Sequence, residues 1–331
     1  MDVDAFTAAH RGQWQRLEEL LRRSRPTGAE ADELVVLYQR TATHLSVVRS
    51  ASPDPALVAR LSTLVARARA AVTGSHRPAW RDAARFLTAV FPAAVHRAAP
   101  WWTSVAAVSL ALAAVIAAWV AGDPAVQGAV AAPDEVRSLV ERDFEAYYSS
   151  APAGSFAAQV WTNNAWVAAL CLVSGILLLP VVLILLTNVA NLGVVAGLMA
   201  SADRLGLFFG LITPHGLLEL TAVFVAAGAG LQLGWTVVDP GPRRRGEAVA
   251  AQGRATVGVA VGLALVLLVS GVIEAFVTPS GLPTWARVGI GVLALLAFLA
   301  WVVVLGGRAV RAGETGDVDT REAGDAAPSA G

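Results

Sequence analysis

His215 and Glu219 stand four residues apart in the passage TPHGLLEL, so on a helix they share one face. They open an apolar run, about 214–238, that is otherwise interrupted only by Gln232. Ionisable groups are expensive in hydrocarbon and face a partner, a cavity or a pathway. An imidazole and a carboxylate so placed suit a proton or ion relay, a partner or ligand site, or polar glue between helices. They also make half of a zinc site, but zinc takes at least three protein ligands. The sequence has no H-E-x-x-H and a single cysteine, Cys171, so neither a metal centre nor an internal disulfide is expected. Further amides come from Asn163 and Asn164 at the outer mouth of an earlier apolar run, and from Asn188 and Asn191, read as flanking a break between two crossings. Such amides cap helices or bond across them. These six residues form the expected polar intramembrane cluster. Glu274 is read as reaching the headgroups, and Asp203 beside Arg204 as a self-neutralising pair.

Other chemistry is missing. Every basic residue is Arg, so no phosphate-binding loop with its Lys is present, and there is no G-x-S-x-G and no heme motif. The reading is therefore non-enzymatic, with no cofactor. A net charge of zero implies no bulk attraction to nucleic acid.

The elements that must hold the cluster are membrane spans. Hydrophobic residues make up 56% of the chain, charged residues only 15%, and the mean hydropathy is +0.59. The apolar residues fall in runs of the length a helix needs to cross roughly 30 Å of hydrocarbon. Spans are expected at about 101–121, 165–186, 214–238, 255–276 and 285–306, with tryptophans near their ends. Charge places the connections. Residues 1–100 carry 14 Arg against 9 acids, the loop 122–160 has 6 acids against 2 Arg, and 239–254 holds Arg243, Arg244, Arg245 and Arg254. The positive-inside rule then requires an even number of crossings between the second span and the arginine triplet. A short crossing at 188–202 supplies the missing one, for six crossings with both termini inside. Glycines at four-residue spacing, Gly193 and Gly197, Gly206 and Gly210, Gly230 and Gly234, Gly258 and Gly262, suit close helix packing within the bundle or between subunits of a homo-oligomer.

Ahead of the spans, residues 1–79 read as a cytoplasmic bundle of amphipathic helices. Trp14, Leu17, Leu20 and Leu21 form one stripe, Leu34, Leu37, Tyr38, Thr41 and Leu45 a second, and Leu57, Leu61, Leu64, Val65 and Ala68 a third. RPTG (25–28) and SPDP (52–55) break them, with Ser52 or Asp54 as a cap. Residues 80–100 read as an interfacial elbow helix lying on the membrane. The outer loop contains an amphipathic helix, 134–148, suited to docking, and residues 307–331 read as a disordered cytoplasmic tail.

Four passages carry a family resemblance: LYQRTATHLSVVRS (37–50), FP (91–92), NNAWVA (163–168) and, most specifically, HGLLELTAVFVAAGAGLQLG (215–234). On these the chain resembles the stage II sporulation protein M family of bacterial membrane proteins, in the form found in non-sporulating, GC-rich bacteria. The resemblance implies a multi-spanning inner-membrane protein that acts as a scaffold beside cell-wall hydrolases. Its non-sporulating relatives imply partnership with a MoxR-type ATPase and a von Willebrand-like protein. The long N-terminal helical domain departs from the sporulation setting. Two functions are therefore carried forward. One is a non-enzymatic scaffold of an envelope-remodelling complex in the bacterial plasma membrane. The other is a transporter or channel subunit with its path around His215 and Glu219.

Overall fold

The computed structural model describes residues 3–23, 27–51, 55–72, 79–143 and 153–318, and no strand occurs among them. The expected cap residues Ser52 and Asp54, the end of the outer-loop helix at 144–148, and the tail beyond 318 lie outside the described residues. The chain divides into two compact units, Met1–Asp82 and Ala83–Gly331.

The first unit is built from α1 (Val3–Leu20), α2 (Gly28–Ala51) and α3 (Pro55–Val72). Their apolar stripes meet in one core of Trp14, Leu17, Leu20, Leu34, Leu37, Leu45, Val48, Leu61, Leu64 and Ala68. Buried Thr41 bonds back to the carbonyl of Leu37 (2.7 Å), so its hydroxyl is satisfied. The start of α2 is a capping box, in which the Thr27 hydroxyl accepts from the Glu30 amide and the Glu30 carboxylate accepts from the Thr27 amide. Arg16 reaches across to Glu33 with two bonds, 2.8 and 3.0 Å, a fork-to-fork geometry. At one end the His10 and His44 rings stack at 4.0 Å, and the Trp14 indole donates to Nδ1 of His44 (3.2 Å). An indole N–H can only donate, so this bond requires a neutral His44.

The second unit is entered through α4 (Ala79–Arg85), a π-helical turn (Phe86–Val90) and α5 (Phe91–Arg97). The π turn falls where Pro92 removes a backbone donor from the helix. Within the segment read as an interfacial elbow, Phe91 to Val95 are buried inside the protein, whereas Trp80, Arg81 and Thr88 are exposed. The Phe91 ring fills the hollow over Gly262 and meets Trp301 at a centroid distance of 5.1 Å, while Trp301 donates to the carbonyl of Leu87 (2.8 Å). An aromatic flanked by small residues reads as a surface anchor in sequence; glycines on neighbouring helices turn it into a core wedge.

Six apolar helices follow. They are α6 (Ala99–Gly122), α9 (Ala153–Val173) with its 3-10 turn (Ser174–Leu177), α10 (Leu179–Ser201), α11 (Leu205–Val238), α12 (Arg245–Phe276) and α13 (Thr284–Ala300). A further π turn, Trp301–Gly306, carries α13 into α14 (Gly307–Arg311). Five helical stretches are long and apolar enough to cross a membrane, and a shorter apolar stretch is Trp161–Leu177. The molecule is an all-α, multi-pass bundle. The short element is therefore not 188–202, which lies inside the full-length α10. The second and third crossings part at Leu178, not near 187. Leu178 takes φ 60°, and Pro180 denies the preceding turn its donor. The sequence ILLLPVVLILL hides that break because its hydropathy never falls.

α11 is the hub, packing against α6, α9, α12 and α13, with Ala222 to Gly230 buried without interruption. It runs through Pro214, which the sequence reading took as a start; ten residues precede that expected start, at 204–213, and nine of them are helical. The paired glycines face neighbours within this chain. A Cβ on Gly193 or Gly197 would strike α6, on Gly230 or Gly234 the end of α9, and on Gly258 Val318 of the chain end; Gly206 faces open space.

In the loop after α6, α7 (Pro124–Val130), capped by Asp123, leads to α8 (Pro133–Ser138) and a π turn (Leu139–Asp143). In the described part of the segment read as suited to docking, Val140 is buried against Met199, Phe208 and Leu211 of the same chain. The tail does not begin at 307. Glu314 pairs with Arg85 (2.7 Å), Asp317 accepts Nε and Nη2 of Arg254 (2.8 and 2.7 Å), and Gly316, at φ 81°, crosses Ala94. Acidic residues that look solvated in sequence have arginine partners far along the chain.

Two outcomes follow from this packing. Gly230→Val would place a Cβ 2.2 Å from the Cys171 carbonyl, and overpacking of that kind costs about 1–3 kcal/mol. The thermal midpoint of the detergent-purified protein should fall accordingly, whereas Gly253→Ala, with nothing within 4 Å, should leave it unchanged or slightly higher. The second outcome concerns pH. Burial, then the neighbouring His10, holds the His44 pKa below its ordinary value, and the Arg16 bond holds Glu33 low. The unfolded chain therefore binds more protons in acid. Stability contributed by His44 is full above about pH 6.5 and is lost as pH falls below it, with Glu33 adding its loss below about pH 4.5. Hydrogen exchange in α1 and α2, corrected for its intrinsic pH dependence, should rise between about pH 7 and 5.5, and His44→Gln should flatten that rise.

Candidate functional site

The six residues singled out in sequence line one cavity of about 610 Å³ in the second unit. Its walls come from α6, α9, α10, α11 and α12, and Leu139 of the loop between α6 and α9 reaches it. The shape follows from the break at Leu178. α9 leaves that point against α11 and α12, α10 leaves it against α6, and the space between the diverging helices stays unfilled. Asn163, Asn188 and Asn191 are also exposed at the bundle surface, so the cavity opens sideways between α9 and α10.

His215 and Glu219 take different partners. Nδ1 of His215 lies 3.3 Å from the Thr278 hydroxyl, and Nε2 lies 3.6 Å from Oε1 of Glu274. Ser270 donates to the carbonyl of His215 (2.9 Å). Glu219 is reached from α9, where the Asn164 amide donates to its Oε2 (2.9 Å), and the hydroxyl of Ser270 lies beside it. Asn163 and Asn164 are thus inside a helix rather than at its cap. Asn188 and Asn191 lie in the middle of α10, away from the break they were expected to flank, and Asn188 bonds back to Ile184 (2.8 Å).

Sequence reasoning missed Glu274. Read as reaching out to the headgroups, it turns inward instead, 1% exposed and facing His215. The signal was available, since Ser270, Glu274 and Thr278 recur every four residues and so share a face. Ser109 of α6, also buried at the cavity, was missed for want of any neighbour in sequence. No ion pair joins Asp203 to Arg204 among the described residues; Asp203 sits at φ 59° in the turn between α10 and α11.

The arrangement holds two carboxyl groups and an imidazole within a mostly apolar wall. Glu219 and Glu274 are close enough to repel when both are charged. Oε1 of Glu219 and Oε2 of Glu274 are buried with no hydrogen-bond partner. No group of three or more His, Cys, Asp or Glu with metal-holding geometry occurs among the described residues. What the site offers chemically is acceptors: carboxylate oxygens and amide carbonyls that can take donors or a cation.

Comparison with known proteins bears on this region directly. The profile of Stage II sporulation protein M matches residues 106–279, which contain every residue lining the cavity. A domain of unknown function, DUF8413, matches residues 4–74, within the first unit. No curated protein and no solved structure matches the chain. The first match covers more than half of the sequence and includes the polar cluster with all the helices that position it, so the chain belongs to the stage II sporulation protein M family.

Proposed function

We propose that this protein is a non-enzymatic scaffold of the bacterial plasma membrane that assembles an envelope-remodelling complex. The observation that supports this reading best is the first unit, a compact bundle with its own core ahead of a multi-pass membrane unit. Such a bundle is of the kind that recruits proteins at a membrane surface. Its exposed Arg11, Arg22, Arg40 and Arg67 favour an acidic partner. Envelope hydrolases or an ATPase of the MoxR type are the partners that the family resemblance suggests. In this reading both termini are cytoplasmic. Six crossings return the chain to its starting side, the ion pairs of Arg85 with Glu314 and Arg254 with Asp317 hold segments of one face together, and the arginine triplet 243–245 lies between α11 and α12 on that same face.

The cavity favours a second reading, a transporter or channel subunit whose polar path runs past His215 and Glu219. The two readings separate by experiment. Deleting residues 1–80 should abolish co-purification of partner proteins from mild detergent while the spans still insert; unchanged recruitment would sink the scaffold's cytoplasmic role. The second reading requires pH-dependent flux in reconstituted vesicles that disappears in Glu219→Gln, and flux equal to that of empty liposomes removes it.

A further inference from the structure

The cavity carries an inference of its own, independent of whether the chain recruits partners. Its acceptors are buried and incompletely used. Glu274 is 1% exposed and Glu219 6%, and each keeps one carboxylate oxygen without a partner. Buried polar atoms are normally bonded, and those that are not call for an explanation such as a ligand. Asn163, Asn188 and Asn191 add amide groups to the wall, and no Arg occurs among the described residues that line it. The site is rich in acceptors and lacks a cation.

Depth narrows the class of ligand. Trp235 marks one interface of α11, and the twenty residues back to His215 span about 30 Å at 1.5 Å per residue. His215 therefore sits at the opposite headgroup boundary, with Glu219 about one helical turn deeper. Glu274 agrees, lying within a turn of the end of α12 at that same boundary. The same cavity wall carries Leu185, Val189 and Leu192 of α10 and Leu220 and Val223 of α11, so apolar side chains alternate with the exposed Asn188 and Asn191 near the opening. The volume, about 610 Å³, is far larger than a bare ion needs and falls in the range of small-molecule sites. A pocket with buried carboxylates at the headgroup level, and a wall of mixed amide and apolar side chains that opens to the bilayer, has the outline of a lipid site.

We propose that this cavity binds the headgroup of an aminolipid. The primary ammonium would donate to Glu219 and Glu274, and the first part of an acyl chain would lie between α9 and α10. The three N–H donors of an ammonium match the unpartnered carboxylate oxygens and neutralise the repulsion between the two carboxyl groups. A trimethylated ammonium has the charge but no donor. A glycerol headgroup has hydroxyl donors but no cation, and its phosphate carries an uncompensated negative charge toward two carboxylates. Arg287, bonded to the carbonyl of Thr278 (2.8 Å) with a buried Nε that has no partner, places a guanidinium beside the segment that reaches His215, where a lipid phosphate would find its counter-charge.

The test uses the full-length protein in nanodiscs containing equal amounts of phosphatidylethanolamine, phosphatidylcholine and phosphatidylglycerol with matched chains, followed by native mass spectrometry of the retained lipid. Phosphatidylethanolamine should be retained about tenfold over each of the others, the effect of charge-assisted hydrogen bonds. In the near-isosteric double variant Glu219→Gln and Glu274→Gln, that preference should fall to about the level of the competitors, with the thermal midpoint checked to show that the bundle is intact. Equal retention of the three lipids on the wild-type protein overturns the proposal without recourse to any variant. So does a preference that survives both substitutions, or a cavity found occupied by a protein segment with no lipid retained.

Discussion

The second unit depends on α11 being wrapped on every side. A helix buried all round cannot be held by a single apolar stripe, and in a bilayer no hydrophobic effect drives its neighbours onto it. What remains is close packing, and its strength rises as backbones approach. Small residues from Ala222 to Gly234 allow that approach: Gly228 receives the backbone of Trp102, and Gly230 and Gly234 receive Cys171 and Gly175. On the far side Gly291 lets α13 meet the carbonyls of Thr213 and Pro214. Contacts of this kind are short-ranged and have no slack, so the positions of α6, α9 and α13 are fixed by the same helix. The polar cluster inherits that rigidity, since His215 and Glu219 stand on α11 itself.

The same constraint produces the cavity. α9 must follow α11 as far as Gly175, and α10 must lie along α6, where Gly193 and Gly197 seat Ile116 and Val120. One residue, Leu178, connects two helices committed to different neighbours, and its positive φ is the local cost of that conflict. The cavity lies between the diverging helices. Asparagines stand on both sides of the gap, with the Glu219 and Glu274 carboxylates beside them, so an unfilled space in the unit is lined by polar groups.

Much of this was legible in sequence, and what was not has definite causes. The first unit was readable almost residue by residue, because an amphipathic helix segregates its apolar positions and Trp14, Leu37 and Leu61 mark the buried faces. The polar cluster was readable because hydrocarbon makes every ionisable group conspicuous; His215 and Glu219 stood out for that reason. Within the membrane unit, helix ends were harder to place, since lipid and protein core favour the same side chains. Leu178 sits in an unbroken apolar run, and only Pro180 marks the turn. Part of the elbow and the chain end were misread for a related reason. Phe91 and Asp317 have unremarkable local sequences, and their burial depends on Gly262 and Arg254, more than sixty residues away in the chain.

The contrast between the cluster and the other polar groups of the unit argues against simple structural glue. Several polar contacts elsewhere are mutual and well formed, although Oε1 of Glu314 and Nε of Arg287 are also buried without a partner: Asp317 engages Arg254 through both oxygens, the Trp102 indole donates to the Val95 carbonyl at 3.1 Å, and hydroxyls such as Thr221 bond back within their own helices. In the cluster, by contrast, the one contact between the imidazole and Glu274 is long, at 3.6 Å, and two carboxylate oxygens are unused. A half-satisfied buried network is worse for stability than an apolar one of the same shape. Leu or Phe at Glu274 would fill space at the end of α12 with no desolvation cost. The arrangement makes physical sense when something outside the chain completes it.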